Sequence, residues 1–430
     1  MKKIITAIAA MLIVLSGNVM AQSGTNSPYS MYGLGVLADR SQGFNRGMSG
    51  VAQGMSDGNQ INTQNPASYA NVDSLSFIFD IGMSLLNTNI QEGGNRMNAK
   101  TANYEYGLAA FRIAKNLGCS FGILPYSNIG YNFYQTGTQK GAVTDTYTTT
   151  YYGEGGLRDL YLGFGWRPVK YLAVGVNGSY VWGSYNKTVT STHSVSSASS
   201  LVREYNTDIH SYKFDIGAQA YIPLDKKQQL TIGATYTIGH NLGNEATVYD
   251  IKTDTTTYQL KDALAIPNTL SLGLAWKYKN TWKVGADFTL YKFGKLQTPI
   301  LSDNGSNFTY ALKDGYLMDK RKISIGAEWL PNEYAMSLLK RIRYRVGGFF
   351  STPYIKVTDS NGNLVDGPKE VGLSFGFGIP IMNSYNNRSI INISGQWVKA
   401  SLDNYIKENY FRINVGITFN ERWFAKWKFE

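Results

Sequence analysis

Between residues 75 and 419 the sequence repeatedly alternates apolar with polar or small residues, in short segments of similar length. The last of them, YFRINVGITF (410–419), puts Phe411, Ile413, Val415, Ile417 and Phe419 on one parity and Tyr410, Arg412, Asn414, Gly416 and Thr418 on the other. A strand sends successive side chains to opposite faces, so each segment is a ribbon with one apolar side. That side must meet either a protein core or lipid.

The same pattern runs through FIFDIGMSL, LYLGFGW, YKFDIGAQAYI, LTIGATYTI, LSLGLAWKY, WKVGADFTL, KISIGAEW, VGLSFGFGI and IINISGQW. Less regular segments cover about 103–113, 118–134, 171–186 and 341–352, for roughly fourteen strands of membrane-crossing length. The connections alternate. Long ones are expected at about 87–99, 134–155, 187–208, 242–265, 294–319, 353–369 and 399–409. Short or moderate ones fall at 114–118, 168–170, 223–227, 279–281, 331–340 and 380–388. An up-and-down sheet gathers one kind of connection at each edge, and outer-membrane barrels show that asymmetry. A soluble sandwich or propeller also alternates, but neither needs continuous up-and-down order with one-sided loop lengths. Trp166, Trp182, Trp276, Tyr278, Trp282, Trp329 and Trp397 fall near strand ends, where a barrel carries its aromatic girdles. The expected fold is therefore all-β: a transmembrane up-and-down antiparallel barrel of about 14 strands, closed because lipid tolerates no open sheet edge.

The opposite parity lines the lumen. It carries Asp80, Asp215, Asp287, Glu328, Arg343, Arg345 and Arg412, with Lys213, Lys277, Lys283 and Lys322. Buried charges need partners or water. This set reads either as a structural ion-pair network or as a substrate-selecting lining.

Ahead of the barrel stand two further segments. MKKIITAIAAMLIVLSGNVMA has a basic start, an apolar stretch and small residues at Val19 and Ala21, the pattern of a signal peptide cut after residue 21. Removal of Lys2 and Lys3 takes the formal charge from +11 to +9, which suits anionic surroundings such as lipid headgroups or simply a soluble basic surface. With a single cysteine, Cys119, there is no internal disulfide framework. Residues 22–74 lack strand alternation and are rich in Gly, Asn, Ser and Gln. A disordered tail is one reading; Met31, Leu34, Val36, Phe44, Met48, Val51 and Met55 need burial, which favours a plug in the barrel mouth. The expected organisation is 1–21 signal peptide, 22–74 hatch, 75–419 barrel and 420–430 C-terminal tail. In that tail Trp423, Trp427 and Phe429 are similar to the terminal aromatic signal read by barrel-insertion machinery.

GLG (33–35), RGMSGVA (46–52) and especially NTQNPASYA (62–70) resemble the hatch of the FadL/TodX-type outer-membrane long-chain fatty-acid transporters. Asn65, Pro66 and Ala67 match that family's Asn-Pro-Ala motif, with Asn62 beside it, and Asp57 is the main match to its acidic hatch residues. IPNTLSLGLAWKYKNTWKVGADFTLYKF (266–293) is similar to one of its hairpins. The resemblance implies a fourteen-stranded barrel closed by an N-terminal hatch, in the outer membrane of a Gram-negative bacterium with both termini periplasmic. It implies passive uptake of hydrophobic small molecules such as long-chain fatty acids, without cofactor. It also implies a kinked third strand that opens a sideways exit; Pro125 lies on the third strand here, where proline marks an edge, a bulge or a strand end. Some members of such families are instead partner-binding barrel subunits of secretion or barrel-assembly complexes, which is the alternative function; a small-solute porin is a third. The partners implied are a hydrophobic ligand, outer-membrane lipid and lipopolysaccharide, the barrel-assembly machinery that inserts the chain, and other outer-membrane proteins, with no nucleic acid. GCSFG (118–122) matches a nucleophile-elbow pattern, but that pattern needs a strand–turn–helix and a triad histidine. His193, His210 and His240 are scattered, so the chain reads as a non-enzyme without metal ligands at useful spacing.

Overall fold

A computed structural model describes residues 24–139, 145–195, 200–252, 254–303, 308–358, 362–382, 388–402 and 405–421. The signal peptide expected over 1–21 lies outside these residues, as do Trp423, Trp427 and Phe429 of the expected tail. Asn420 and Glu421 are described, and they extend the last strand rather than begin a tail.

Fourteen strands close on themselves in chain order. They are β1 (Phe77–Glu92), β2 (Asn95–Ala114), β3 (Leu117–Gln139), β4 (Asp145–Val169), β5 (Leu172–His193), β6 (Leu201–Pro223) and β7 (Gln228–Thr237) on one side. β8 (Thr269–Tyr278), β9 (Trp282–Tyr291), β10 (Lys320–Trp329), β11 (Arg343–Ser351), β12 (Lys369–Met382), β13 (Arg388–Ser401) and β14 (Lys407–Glu421) complete the ring. Closure is by β1 against β14, from Phe77↔Glu421 to Gln91↔Lys407. Both ends of the barrel chain thus lie at the short-turn end.

The parities sort as the alternation requires. Leu160, Leu162, Phe164 and Trp166 of β4 are exposed, whereas Asp159 and Tyr161 are buried inside. The exposed belt is apolar because only hydrocarbon can cover it. Aromatic rings mark both of its borders. Trp282 stacks on Trp329, and Tyr344 meets Trp329 at a tilt, near the short turns. Tyr180 stacks on Trp182 and His210, and Tyr212 on His240, toward the long hairpins.

The long connections differ from expectation. Most are not loops. β3 to β6 run 22 to 25 residues, at least twice the roughly 9–11 that cross a bilayer. The extra length is Thr- and Tyr-rich, as in Thr146–Tyr152. Both faces of it leave the membrane, so nothing demands apolar alternation, while β-branched and aromatic residues still favour the ladder. The hairpin Glu245–Ile251 with Thr255–Lys261 joins the same tall sheet, pairing Glu245↔Asp208 through Ile251↔Val202 on β6. Two further hairpins, Thr298–Asp303 with Phe308–Lys313 and Lys356–Thr358 with Leu364–Asp366, fill other long connections. Among the short ones, 331–340 carries part of the one-turn helix α2 (Leu338–Arg341), and 383–387 lie outside the described residues.

Residues 24–72 fold into the lumen. They contain a 3-10 turn (Pro28–Met31), a two-residue strand (Val36–Leu37), helix α1 (Gly43–Arg46) and a second 3-10 turn (Pro66–Asn71). The apolar residues Leu34, Phe44, Met48, Val51 and Met55 are buried there. Leu34 joins Ile129, Val181, Phe293, Tyr354 and Val357 in a core near the long hairpins, and Phe44, Met48, Val51 and Met55 pack against Ala275 lower down.

Candidate functional site: the seated plug, the wall gap and the cavity between them

The inner face leaves room for a backbone. Glycines sit side by side around the wall as Gly165↔Gly175↔Gly217, Gly233↔Gly273 and Gly285↔Gly326↔Gly347. A Cβ on Gly326 would stand 2.6 Å from the Met48 carbonyl oxygen, and one on Gly285 2.7 Å from Val51 Cγ1. Side chains at Gly175 and Gly233 would collide with the carbonyls of Pro66 and Gln53. Only glycine lets plug and wall approach this closely.

Polar groups then fasten the two. The Asn45 side chain accepts the Gln42 N–H at 2.8 Å at the start of α1, and the Gly43 N–H donates to the Tyr106 hydroxyl at 2.7 Å. Arg46 is almost fully buried. Its guanidinium donates to Glu105 at 2.8 Å, to Asn414 at 2.5 Å and to the Ser41 carbonyl at 3.0 Å. The Ala52 and Gln53 N–H groups donate to one Asp287 oxygen at 2.6 and 3.0 Å.

The Asn-Pro-Ala residues have a plain mechanical role. Asn65 accepts the Ala67 N–H at 3.1 Å and so caps the turn that Pro66 begins. Its amide donates to the Gln53 carbonyl at 2.9 Å and the Ala218 carbonyl at 3.2 Å. Asn62 donates to the carbonyls of Ala52 and Met55 at 2.7 and 2.9 Å. These four residues knit the plug to itself and to β6.

The inward charges named from the sequence fall into separate groups. Glu328 is a hub: Arg345 at 2.7 Å, Arg343 at 2.9 Å and Lys283 at 3.1 Å surround it, and Lys283 also pairs with Asp57. Burial alone would raise the Asp57 carboxyl, but Lys283 and Lys277 hold it below its ordinary value. Asp215 belongs to a second group: Lys213 binds it at 2.6 Å and Asp159 at 3.3 Å, and Arg40 reaches Asp159 at 3.2 Å. Arg412 stands 4.0 Å from Asp39. Burial pushes the Asp39 carboxyl up, yet Arg46, Lys322 and Arg412 outweigh it and lower its pKa. Asp80 accepts from Thr418 at 3.2 Å.

Arg40, Arg46, Glu105 and Asp159 were not singled out by the sequence pattern. Asp159 shares the parity of Tyr161 and could have been found by extending the β4 alternation toward the N-terminus. Glu105 could not, because the β1–β2 register shifts at Gly82/Met83 opposite it, and a bulge breaks parity.

Pro125 lies in β3 at a register shift against β4, between Pro125 and Ser127. On the other side, β2 follows β3 only as far as Gly107↔Ile123. Beyond that point Val36 and Leu37 pair with Asn128 and Ser127 in the place of β2. Behind this gap is a cavity of about 300 Å³. Val36, Leu37, Leu86, Phe349, Tyr354 and Ile355 line part of it; so do four acids (Asp39, Glu105, Glu370, Glu408) and four bases (Arg158, Lys320, Lys322, Arg412). GCSFG lies within β3, not at a strand–turn–helix.

A family model described as BamG matches residues 1–430. No curated protein matches the chain. Among solved structures, the Pseudomonas putida toluene transporter TodX is 15% identical, over 91% of this chain and 100% of that chain, at a TM-score of 0.59. A Pseudomonas aeruginosa FadL homologue is 11% identical, covering 88% and 98%, at 0.60. The Ralstonia pickettii toluene transporter TbuX is 13% identical, covering 87% and 97%, at 0.57. The shared property at such identities is the fold: a closed barrel like that of Gram-negative outer-membrane channels.

Proposed function

This chain belongs to the BamG family, and from that membership, whose name points to barrel assembly, we propose that it is a partner-binding barrel subunit of an outer-membrane assembly complex. The short turns face the periplasm in this reading and the tall sheet stands outside. The observation that carries it is the chemistry of the cavity. Sites for apolar ligands are mostly apolar with a few placed polar groups; this one sets four acidic and four basic side chains around about 300 Å³. Below it the plug is held by buried ion pairs and hydrogen bonds to the wall. What the molecule offers in quantity is surface, in the sheet that β3 to β6 raise beyond the apolar belt. Extraction in mild detergent followed by mass measurement tests this. A stoichiometric particle containing a second outer-membrane protein or lipoprotein supports it; a lone barrel at every detergent strength contradicts it.

The wall gap favours a second reading, passive uptake of a hydrophobic small molecule that enters among the long hairpins and leaves sideways past Pro125. Apolar burial would drive it without a cofactor. Uptake of a labelled fatty acid that depends on the protein, and on Asn65 to Ala67, would support this reading over the first.

A further inference from the structure

We propose that Tyr131–Thr138 of β3 is a docking edge that takes an extended, uncharged strand of a partner protein on the long-hairpin side. The proposal rests on the assembly-subunit reading and names where one partner binds. β4 pairs with β3 along its whole length, from Leu117↔Trp166 to Gln139↔Asp145. The other side of β3 is taken in turn by β2, up to Ile123, then by Val36–Leu37 at Ser127 and Asn128. Next the Ser30 hydroxyl bonds both backbone groups of Gly130, accepting its N–H at 3.1 Å and meeting its carbonyl at 3.2 Å. Past Gly130, among the described residues, no strand pairs on that side.

Gly130 turns its N–H and C=O away from β4. Alternation therefore turns those of Asn132, Tyr134, Thr136 and Thr138 the same way. Four such residues make a template about eight residues long. Natural edges of this length are usually blunted by lysine, proline or a bulge. YNFYQTGT has no charge and no proline, and the nearest bulge is below it at Pro125. Asn132, Tyr134, Gln135, Thr136 and Thr138 are exposed, Tyr134 to 71%. The opposite edge of the tall sheet, Thr255–Lys261, is by contrast approached by Phe308–Lys313.

Two features select the occupant. The edge continues a line on which the chain's own Val36–Leu37 is already added as a strand, so its geometry suits strand addition. It also lies beyond lipid: the outward apolar run of β4 ends at Leu160, and Tyr131 is opposite Gly153, farther along. A water-side, neutral segment is what such an edge accepts.

Amide hydrogen exchange resolved within 131–139 tests this, comparing the complex extracted in mild detergent with the barrel stripped of its partners. The odd-numbered amides, bonded to β4, serve as the reference and stay slow in both. The amides of 132, 134, 136 and 138 are expected to exchange at least tenfold more slowly in the complex than in the stripped barrel. Thr136→Lys, a charge on an exposed side chain, is expected to restore fast exchange and loosen the partner while the barrel remains folded. Tyr134→Pro, which removes only the donor facing away from β4, should do the same. An intact complex with fast even-numbered amides overturns this proposal alone; absence of any complex overturns the assembly reading with it. Slow exchange already present in the stripped barrel, whether constant or rising with protein concentration, assigns the edge to the chain itself or to a second copy and also overturns it.

Discussion

Glycine in the wall is the residue that decides whether the plug fits. Gly233 faces the Gln53 carbonyl with no room for a Cβ. Gly233→Val should force plug and wall apart at about 1–3 kcal/mol, the usual cost of overpacking, seen as a lower denaturant midpoint of the purified barrel. The outward-facing Gly178, where a Cβ meets only the Phe214 ring at 3.4 Å, should tolerate alanine with no measurable change. Glu328 is the other decisive residue. Its three cations are all mostly or wholly buried, so Glu328→Gln strands them together and should cost about 3–5 kcal/mol. Adding Arg345→Met to that variant should recover part of the loss, because one stranded charge is then removed. The inward parity of Glu328, Asp287 and Gly233 was legible from alternation alone. The plug groups that meet Asp287 and Gly233 were not, since residues 22–74 have no period from which to read contacts.

At the scale of elements, the strand at Val36–Leu37 covers the β3 side of the wall gap. Cysteines replacing Val36 and Asn128, which are directly paired, are close enough in an antiparallel ladder to oxidise to a disulfide. The assembly reading expects the V36C/N128C lock to leave complex formation unchanged. The uptake reading expects it to abolish entry of a labelled fatty acid, with recovery on reduction. The residues alone showed Pro125 as an irregularity in a strand, and only the family resemblance tied it to a kink and a sideways exit. That β2 parts from β3 next to it, and that an N-terminal strand takes its place, depends on pairing between distant segments and leaves no local mark. The heights of β3 to β6 were hidden for a related reason. Tyr147 to Tyr151 have strand-forming side chains, but out of the membrane neither face must be apolar, and the period that reveals the lower halves is lost.

For the molecule as a whole, a one-sided apolar belt on a closed ring requires lipid around it, and the strand order is legible in the alternation of short turns with long connections. The interior separates the possible functions. A lumen filled by its own N-terminal segment, with a charged cavity above, suits a scaffold that presents surfaces to partners better than a path for hydrocarbon. The most direct measurement is depletion of the protein in its own cell, with the outer-membrane content of other barrel proteins and the uptake of a labelled fatty acid followed together. The account predicts that the other barrels fall while uptake per remaining cell surface is unchanged; normal levels of the other barrels with uptake lost would contradict it.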